Sequence, residues 1–312
     1  MQWGQIKTLL ILSFLILDIY LLVQFLEKQQ QADLGVLEQN ETTIEDKLKS
    51  ENIKISKLPT KEYKETFISV APKVLMVNEL ELLKKLPNQT NEVIQNKFIV
   101  TKYKKPITLP KEKSREKMNL LLENMVVNPE EYTFWEWDKE VNVLIYFQNK
   151  LDRPIYYNQN GLVLLFLDTN NEVVYSTQTS LGNYEQNEEK SNLINPMRAI
   201  EMLYESDKLV SDDVINSVEI GFHTRVPLDS GIQVFAPTWK IKVNDNKDYF
   251  VNAIEEFVFL SEHQLFLKEA LLNTFEKVSL IKEDKLNKSD FLRDLSEKIE
   301  LIERSEEDEL TI

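Results

Sequence analysis

Proton transfer is the chemistry for which this chain carries candidate residues, and it carries few. Glu136 and Asp138 flank Trp137. Two carboxylates around a scissile bond are glycosidase equipment, but in such enzymes they face each other from opposite sides of the substrate. Residues two apart on one strand share a face, so this pair reads as an exposed strand face. There are two histidines, His223 and His263. His223 precedes Arg225 on the same face of a predicted strand, where an imidazole titrating near neutrality would sense protons. The alternative is a surface or half-buried histidine. His263 falls in a Glu- and Lys-rich tail.

Other chemistries lack their residues. There is no cysteine, which removes thiol catalysis, thiolate metal sites and disulfides. Neither the zincin, the nucleophile-elbow nor the P-loop pattern occurs. Asp168, Asn170 and Glu172, and again Asn244, Asn246 and Asp248, have the alternation of a calcium loop. Both lack the glycine and distal glutamate such a loop needs, and both fit hairpin turns. The expectation is no enzyme, no cofactor and no metal. A formal charge of −15 argues against nucleic acid and against docking on anionic lipid, which leaves proteins as partners.

The tryptophans are the candidates for contact with them. Tyr132, Phe134, Trp135 and Trp137 crowd one predicted strand. Alternation puts Tyr132 and Phe134 on one face with Glu136, and Trp135 and Trp137 on the other. Either the sheet is packed on both faces or one face meets a partner. Trp239 shares its face with Ile241 and Val243, which suits core packing; partner contact is the other reading.

The elements that position these residues follow from periodicity. Residues 8–26 form an apolar run long enough, at about 1.5 Å per residue, to cross a bilayer core of about 30 Å as a helix. Asp18 lies inside it, and a carboxylate at membrane depth is a functional hypothesis by default. We expect it to face a partner helix. Lys7 before the run, without an acid, orients the N-terminus to the cytoplasm and the remainder outside. Thr43 caps a short helix, Ile44 to Ser50. Beyond it, a helix is expected over 111–127, another opening at Pro196, and strands around 98–103, 132–137, 142–148, 162–167, 172–179, 218–226, 232–243 and 249–260. Leu292, Leu295, Ile299 and Ile302 keep the spacing of a helix whose apolar stripe packs on the domain or on a partner. The expected organisation is an N-terminus (1–5), a transmembrane helix (6–26), a stalk (27–42), three small helix-plus-antiparallel-sheet units (43–95, 96–190, 191–260) and an acidic helical tail (261–312). The class is α+β.

Several segments carry a family resemblance. They are Met1-Gln-Trp-Gly at the start, Leu15-Ile-Leu-Asp-Ile-Tyr-Leu21, Tyr175-Ser-Thr-Gln-Thr-Ser-Leu181, Ala199-Ile-Glu-Met-Leu-Tyr204, Ala236-Pro-Thr-Trp-Lys-Ile241 and Tyr249-Phe-Val-Asn-Ala253. Over roughly residues 1–260 the chain resembles the YycI (WalI) family. The resemblance implies PepSY-like or cystatin-like units outside the cell and no catalytic residues. It also implies a cell-membrane protein that binds, with a YycH-like single-pass partner, the WalK (YycG) sensor histidine kinase controlling cell-wall metabolism. Members of that family often carry Asn near the position of Asp18. A PepSY-like domain that inhibits a protease or binds a cell-wall ligand is the alternative function.

Overall fold

The computed structural model describes residues 43–309, except 57, 62, 187–189, 225, 227–230, 260–262, 283 and 285, and residues 7, 11, 12, 14, 15 and 17–22. Contacts divide the chain into two units, 1–53 and 54–312. In the first, the described positions between 7 and 22 are helical and exposed, Asp18 among them. Among the described residues no helix is long and apolar enough to cross a membrane. The remainder of the expected span at 6–26, the N-terminus 1–5 and the stalk 27–42 lie outside the described residues. Helix α1 (Ile44–Ser50) starts where its capping residue dictates: Thr43 Oγ1 accepts the Asp46 N–H at 3.3 Å.

The second unit is a mixed α+β fold. Its elements are β1 (Lys54–Ile55), β2 (Lys64–Glu65), β3 (Ile68–Pro72), α2 (Val77–Lys85), β4 (Gln89–Ile94), β5 (Phe98–Thr108), α3 (Arg115–Leu121), β6 (Tyr132–Asp138), β7 (Val143–Lys150), β8 (Arg153–Pro154), β9 (Leu162–Leu167), β10 (Glu172–Gln178), β11 (Leu181–Gln186), β12 (Ser191–Asn192), α4 (Pro196–Glu205), β13 (Val214–His223), β14 (Gln233–Val243), β15 (Lys247–Asn252), β16 (Phe257–Phe259), α5 (His263–Ser279) and α6 (Lys288–Glu309). One seven-stranded sheet runs β1-β13-β14-β15-β16, with β3 also on β14 and β11 on β3. The other runs β4-β5-β10-β9-β7-β6, with β8 on β7. β2 and β12 form a small separate ladder. The large sheets mix the stretches that periodicity separates. β3 comes from 43–95, β11 from 96–190 and β14 from 191–260, yet they lie side by side in one sheet.

The second sheet is apolar on both faces. β9 is buried at every residue, and β7 over its first six. Helix α3 and the chain after it cover one face: Met118, Leu122, Met125 and Val126 pack on Leu144, Tyr146, Val163 and Leu165. Helices α5 and α6 cover the other: Phe266, Leu267, Leu271, Phe291, Leu295 and Ile299 pack on Val143, Ile145, Phe147, Leu164 and Phe166. The 3-4-3 stripe of the tail thus faces the domain itself. At about 1.5–3 kcal/mol for each large apolar side chain buried, these helices form one side of the core. The helix expected over 111–127 is shorter, since Leu122 caps α3 and Asn124 and Asn128 turn with positive φ.

Segment 153–157 joins the sheets. Arg153 and Pro154 pair with β7, Ile155 bridges to Phe222 of β13, and the Tyr156 N–H donates to Phe222 O at 2.8 Å. The Tyr156 ring lies against Gly221, where a Cβ would come within 2.3 Å of it. Glycine at 221 is what lets that ring close the junction.

The inward stripe of α6 sets an expectation for substitutions. Phe291→Ala should destabilise the chain by about 3–5 kcal/mol, whereas Leu301→Ala, on the outer side at 40 % exposure, should stay within about 0.5 kcal/mol. Urea denaturation measures both. Equal losses would contradict the packing of α6.

Candidate functional site

The crowded aromatic strand is resolved by a bulge. The β6–β7 register shifts between Phe134 and Glu136, leaving Trp135 as the extra residue. Strict alternation therefore fails. Tyr132, Phe134 and Trp137 share the α3 side. Trp135 turns to the other, with ring centroids 5.1 Å from Phe147, 5.3 Å from Tyr156 and 5.7 Å from Tyr157. The sheet is packed on both faces, and both tryptophans take part in that packing. Trp137 keeps a half-buried ring between Lys113 and Lys139, and its indole N–H donates to Asn142 Oδ1 at 3.0 Å. Trp239 is buried and donates to Ile194 O at 2.9 Å. It belongs to the core and offers no contact surface. Asp18 belongs to the first unit.

The same bulge aims Glu136 and Asp138 at the face that α5 covers; Asp138 is buried there, while Glu136 stays exposed, as an exposed strand face requires. They meet His263, the first residue of α5. Its Nε2 lies 3.3 Å from Asp138 Oδ2, and its Nδ1 lies 3.8 Å from Glu136 Oε2. Asp138 is buried and uses both oxygens. Oδ1 accepts the N–H groups of Glu140 and Val141 at 3.0 and 3.1 Å, which shapes the β6–β7 turn. Oδ2 takes His263 and the Gln264 amide at 3.4 Å. Burial would lower the His263 pKa, but the hydrogen bond to Asp138 and the charges of Glu136, Asp138 and Asp248 outweigh it and hold the pKa above its ordinary value. Burial would raise Asp138, but the His263 and backbone hydrogen bonds bring it below the usual carboxylate range.

The other histidine behaves oppositely. His223 is buried against Phe259, ring centroids 4.4 Å apart, and burial pushes its pKa down to about 4. It stays neutral at physiological pH, so proton sensing does not belong to His223. Arg225 lies outside the described residues.

Beside His263 is a buried lysine. Lys240 Nζ sits 4.1 Å from the Trp135 ring centroid and 3.4 Å from Asp248 Oδ2, and Lys242 reaches Asp248 Oδ1 at 3.4 Å. Burial draws Lys240 below the usual lysine range, and Asp248 and Glu219 offset part of that. The junction thus holds three carboxylates, an imidazole and a lysine on an aromatic floor. It can store charge and bind protons.

The turns with calcium-like spacing are committed to the backbone. Asp168 Oδ1 accepts the N–H groups of Asn170 and Glu172 at 2.9 and 3.0 Å, and Asn244 Oδ1 accepts that of Val214 at 2.9 Å. Elsewhere, a cleft of about 710 Å³ opens between the β4–β5 turn, residues 158–160 and α5. Half of its lining side chains are amides and lysines, among them Gln95, Lys97, Gln159 and Asn273, and Glu269 and Glu276 add carboxylates. Sequence reasoning found Glu136 and Asp138 but not their meeting with His263, 125 residues away in the chain.

The buried lysine separates pairing from packing. Asp248→Asn takes the carboxylate from both Lys240 and Lys242 and should cost about 3 kcal/mol or more, whereas Lys240→Met leaves Asp248 paired with Lys242 and should cost less. Urea denaturation at neutral pH decides this. A loss with Lys240→Met as large as with Asp248→Asn would contradict the charge assignment.

No curated protein matches the sequence. The fold has distant likenesses among solved structures. An uncharacterized protein from Eubacterium rectale aligns at 10 % identity over 67 % of this chain and 89 % of its own, with a TM-score of 0.38. YycH from Bacillus subtilis aligns at 10 % identity over 64 % of this chain and 54 % of its own, also at 0.38. The YycI protein family matches residues 31–254. That stretch is more than half of the sequence and contains both large sheets' principal strands, so the chain belongs to the YycI family.

Proposed function

We propose that this chain is a membrane-anchored extracytoplasmic regulator that binds the WalK sensor histidine kinase together with a YycH-like partner and modulates its activity in control of cell-wall metabolism. Membership of the YycI family over residues 31–254 is the observation that carries this reading. The apolar run at 8–26 supports anchoring by its length and composition, with the N-terminus in the cytoplasm. The reading needs no catalytic group. The aromatic and charged side chains of the second unit are engaged in packing, turns and ion pairs, which suits a domain that acts through contact. The amide-lined cleft near α5 favours a second reading, a domain that binds a polar cell-wall ligand, because its volume falls in the range of ligand sites.

Asp18 is the proposed contact within the bilayer. Interhelical polar contacts contribute about 0.6 kcal/mol on average, so one such contact tunes assembly rather than creating it. Affinity capture of the full-length chain from membranes should recover a histidine kinase and a YycH-like single-pass protein. Asp18→Leu should lower that recovery two- to three-fold, a figure of about the size such a contact supports, while Asp18→Asn should preserve it. An alkaline phosphatase fusion after residue 312 should be active. Recovery of neither partner, or activity only from a cytoplasmic reporter, would overturn the proposal.

A further inference from the structure

The junction around His263 has a property that partner binding does not require. Its geometry joins two elements distant in the chain through one side chain. Asp138 closes the β6–β7 turn with one oxygen and holds the start of α5 with the other. The His263 side chain keeps 22 % of its surface exposed, while Asp138 keeps 6 %. The ring edge therefore reaches solvent although Nδ1 itself is buried, and the carboxylate that Nε2 faces is fixed and largely dry. Glu136 on the other side of the ring is half open to water at 49 %.

We propose that His263, Asp138 and Glu136 form a proton-operated latch between α5 and the β6–β7 hairpin, closed while the imidazole carries its proton and loosened when the proton is lost. With the proton bound, Nε2 donates to Asp138, while Nδ1, 3.8 Å from Glu136 and without a hydrogen-bond partner, adds a longer-range attraction. After its loss the ring is neutral: Nε2 can keep its hydrogen bond to Asp138, but the attraction of a charged ring to two anions disappears. The carboxylates around the ring favour the closed form. β6 contributes Glu136 and Asp138. β15 contributes Asp248, whose charge Lys240 and Lys242 partly balance. The 153–157 segment contributes only the Tyr157 ring, at 6.4 Å. From α6, Lys298 donates to Val141 O at 2.6 Å and lies 3.4 Å from Asp294. It brings a cation to the same turn as Asp138. On α5 itself, Gln264 is neutral and bonds Asp138.

The direction of the pH effect follows. A histidine pKa raised on folding adds stability that is complete below its ordinary value and is lost as pH rises through the folded value. A depressed Asp138 adds stability that is lost only as pH falls through its folded value, in the acid range. The latch is closed between these limits and loosens as pH rises through the folded His263 value, which lies above the ordinary one. Opening frees the first turn of α5, whose partners deeper in the core, Phe266 and Leu267, remain held by packing. His263 lies beyond the stretch that matches the family, which ends at residue 254.

Two measurements on the full-length chain in detergent micelles test this. Side-chain NMR of His263 should give a titration midpoint above the ordinary histidine value of about 6.5. Hydrogen exchange of the amides at 266–270, corrected for base catalysis, should quicken several-fold relative to those of β9 as pH rises through that measured midpoint. His263→Gln, which keeps a hydrogen bond but cannot titrate, should abolish that difference. His263→Lys, charged throughout, should keep exchange slow at the alkaline end. An unchanged pH profile in His263→Gln, or a midpoint at or below the ordinary value, would overturn the latch. Should either variant fail to fold, the titration midpoint of the unaltered chain still decides.

Discussion

A sheet with two apolar faces cannot stand alone in water, and this constraint organises the second unit. β7 and β9 are hydrophobic without alternation, so each face must be covered over nearly its whole width. On one side the cover is local, supplied by α3 and the turns after it, between β5 and β6 in the chain. On the other it comes from the chain's end, α5 and α6, together with Phe250 and Phe259 of the first sheet. The acidic surface of the tail is what solvent sees of helices whose inner sides are core. High charge in that stretch reflects the narrowness of the apolar stripe rather than a loose segment.

Meeting that constraint brings the charged junction into being. For α5 to lie over the sheet, its first turn must pass the end of β6, where a bulge already turns Trp135 inward. The carboxylates at 136 and 138 then face the helix start and would destabilise one another without a cation or proton donor between them. His263 supplies it. Lys240 does the same for Asp248 on the neighbouring hairpin, with the Trp135 ring taking the place of part of its hydration. Function by contact, as expected of a YycI family member, requires a scaffold whose two sheets stay in fixed relation. Tyr156 and Lys240 are two bonds across that joint, and His263 ties the start of α5 to the end of β6.

Much of the local structure is legible in the chain. Thr43 marks a helix start, Pro196 another, and the runs at 162–167 and 172–178 are strands as their composition requires. The alternating stripe at Leu292, Leu295, Ile299 and Ile302 finds its inner face. What periodicity misses is of two kinds. Short strands such as β4 and β11 lack a hydrophobic pattern and form because a neighbour offers its edge, as β5 and β3 do. Irregularities are also silent: one extra residue at the bulge reverses the facing of Trp135 relative to Trp137, and with it the reading of Glu136 and Asp138. The candidate site was half visible for the same reason. Its carboxylates stand out by their spacing around a tryptophan, but nothing local ties them to a histidine beyond the last strand, because only the closure of α5 over the sheet brings the two together.

The central claim is that α5 and α6 are one side of the core and not an appended tail. Native-state hydrogen exchange in increasing urea tests it most directly. If the claim holds, amides of Leu271, Leu295 and Ile299 open with the same free energy and the same urea dependence as those of Ile145 and Leu164, as members of one cooperative unit do. Exchange from the two helices through a separate, cheaper opening, while β7 and β9 stay fully protected, would contradict it.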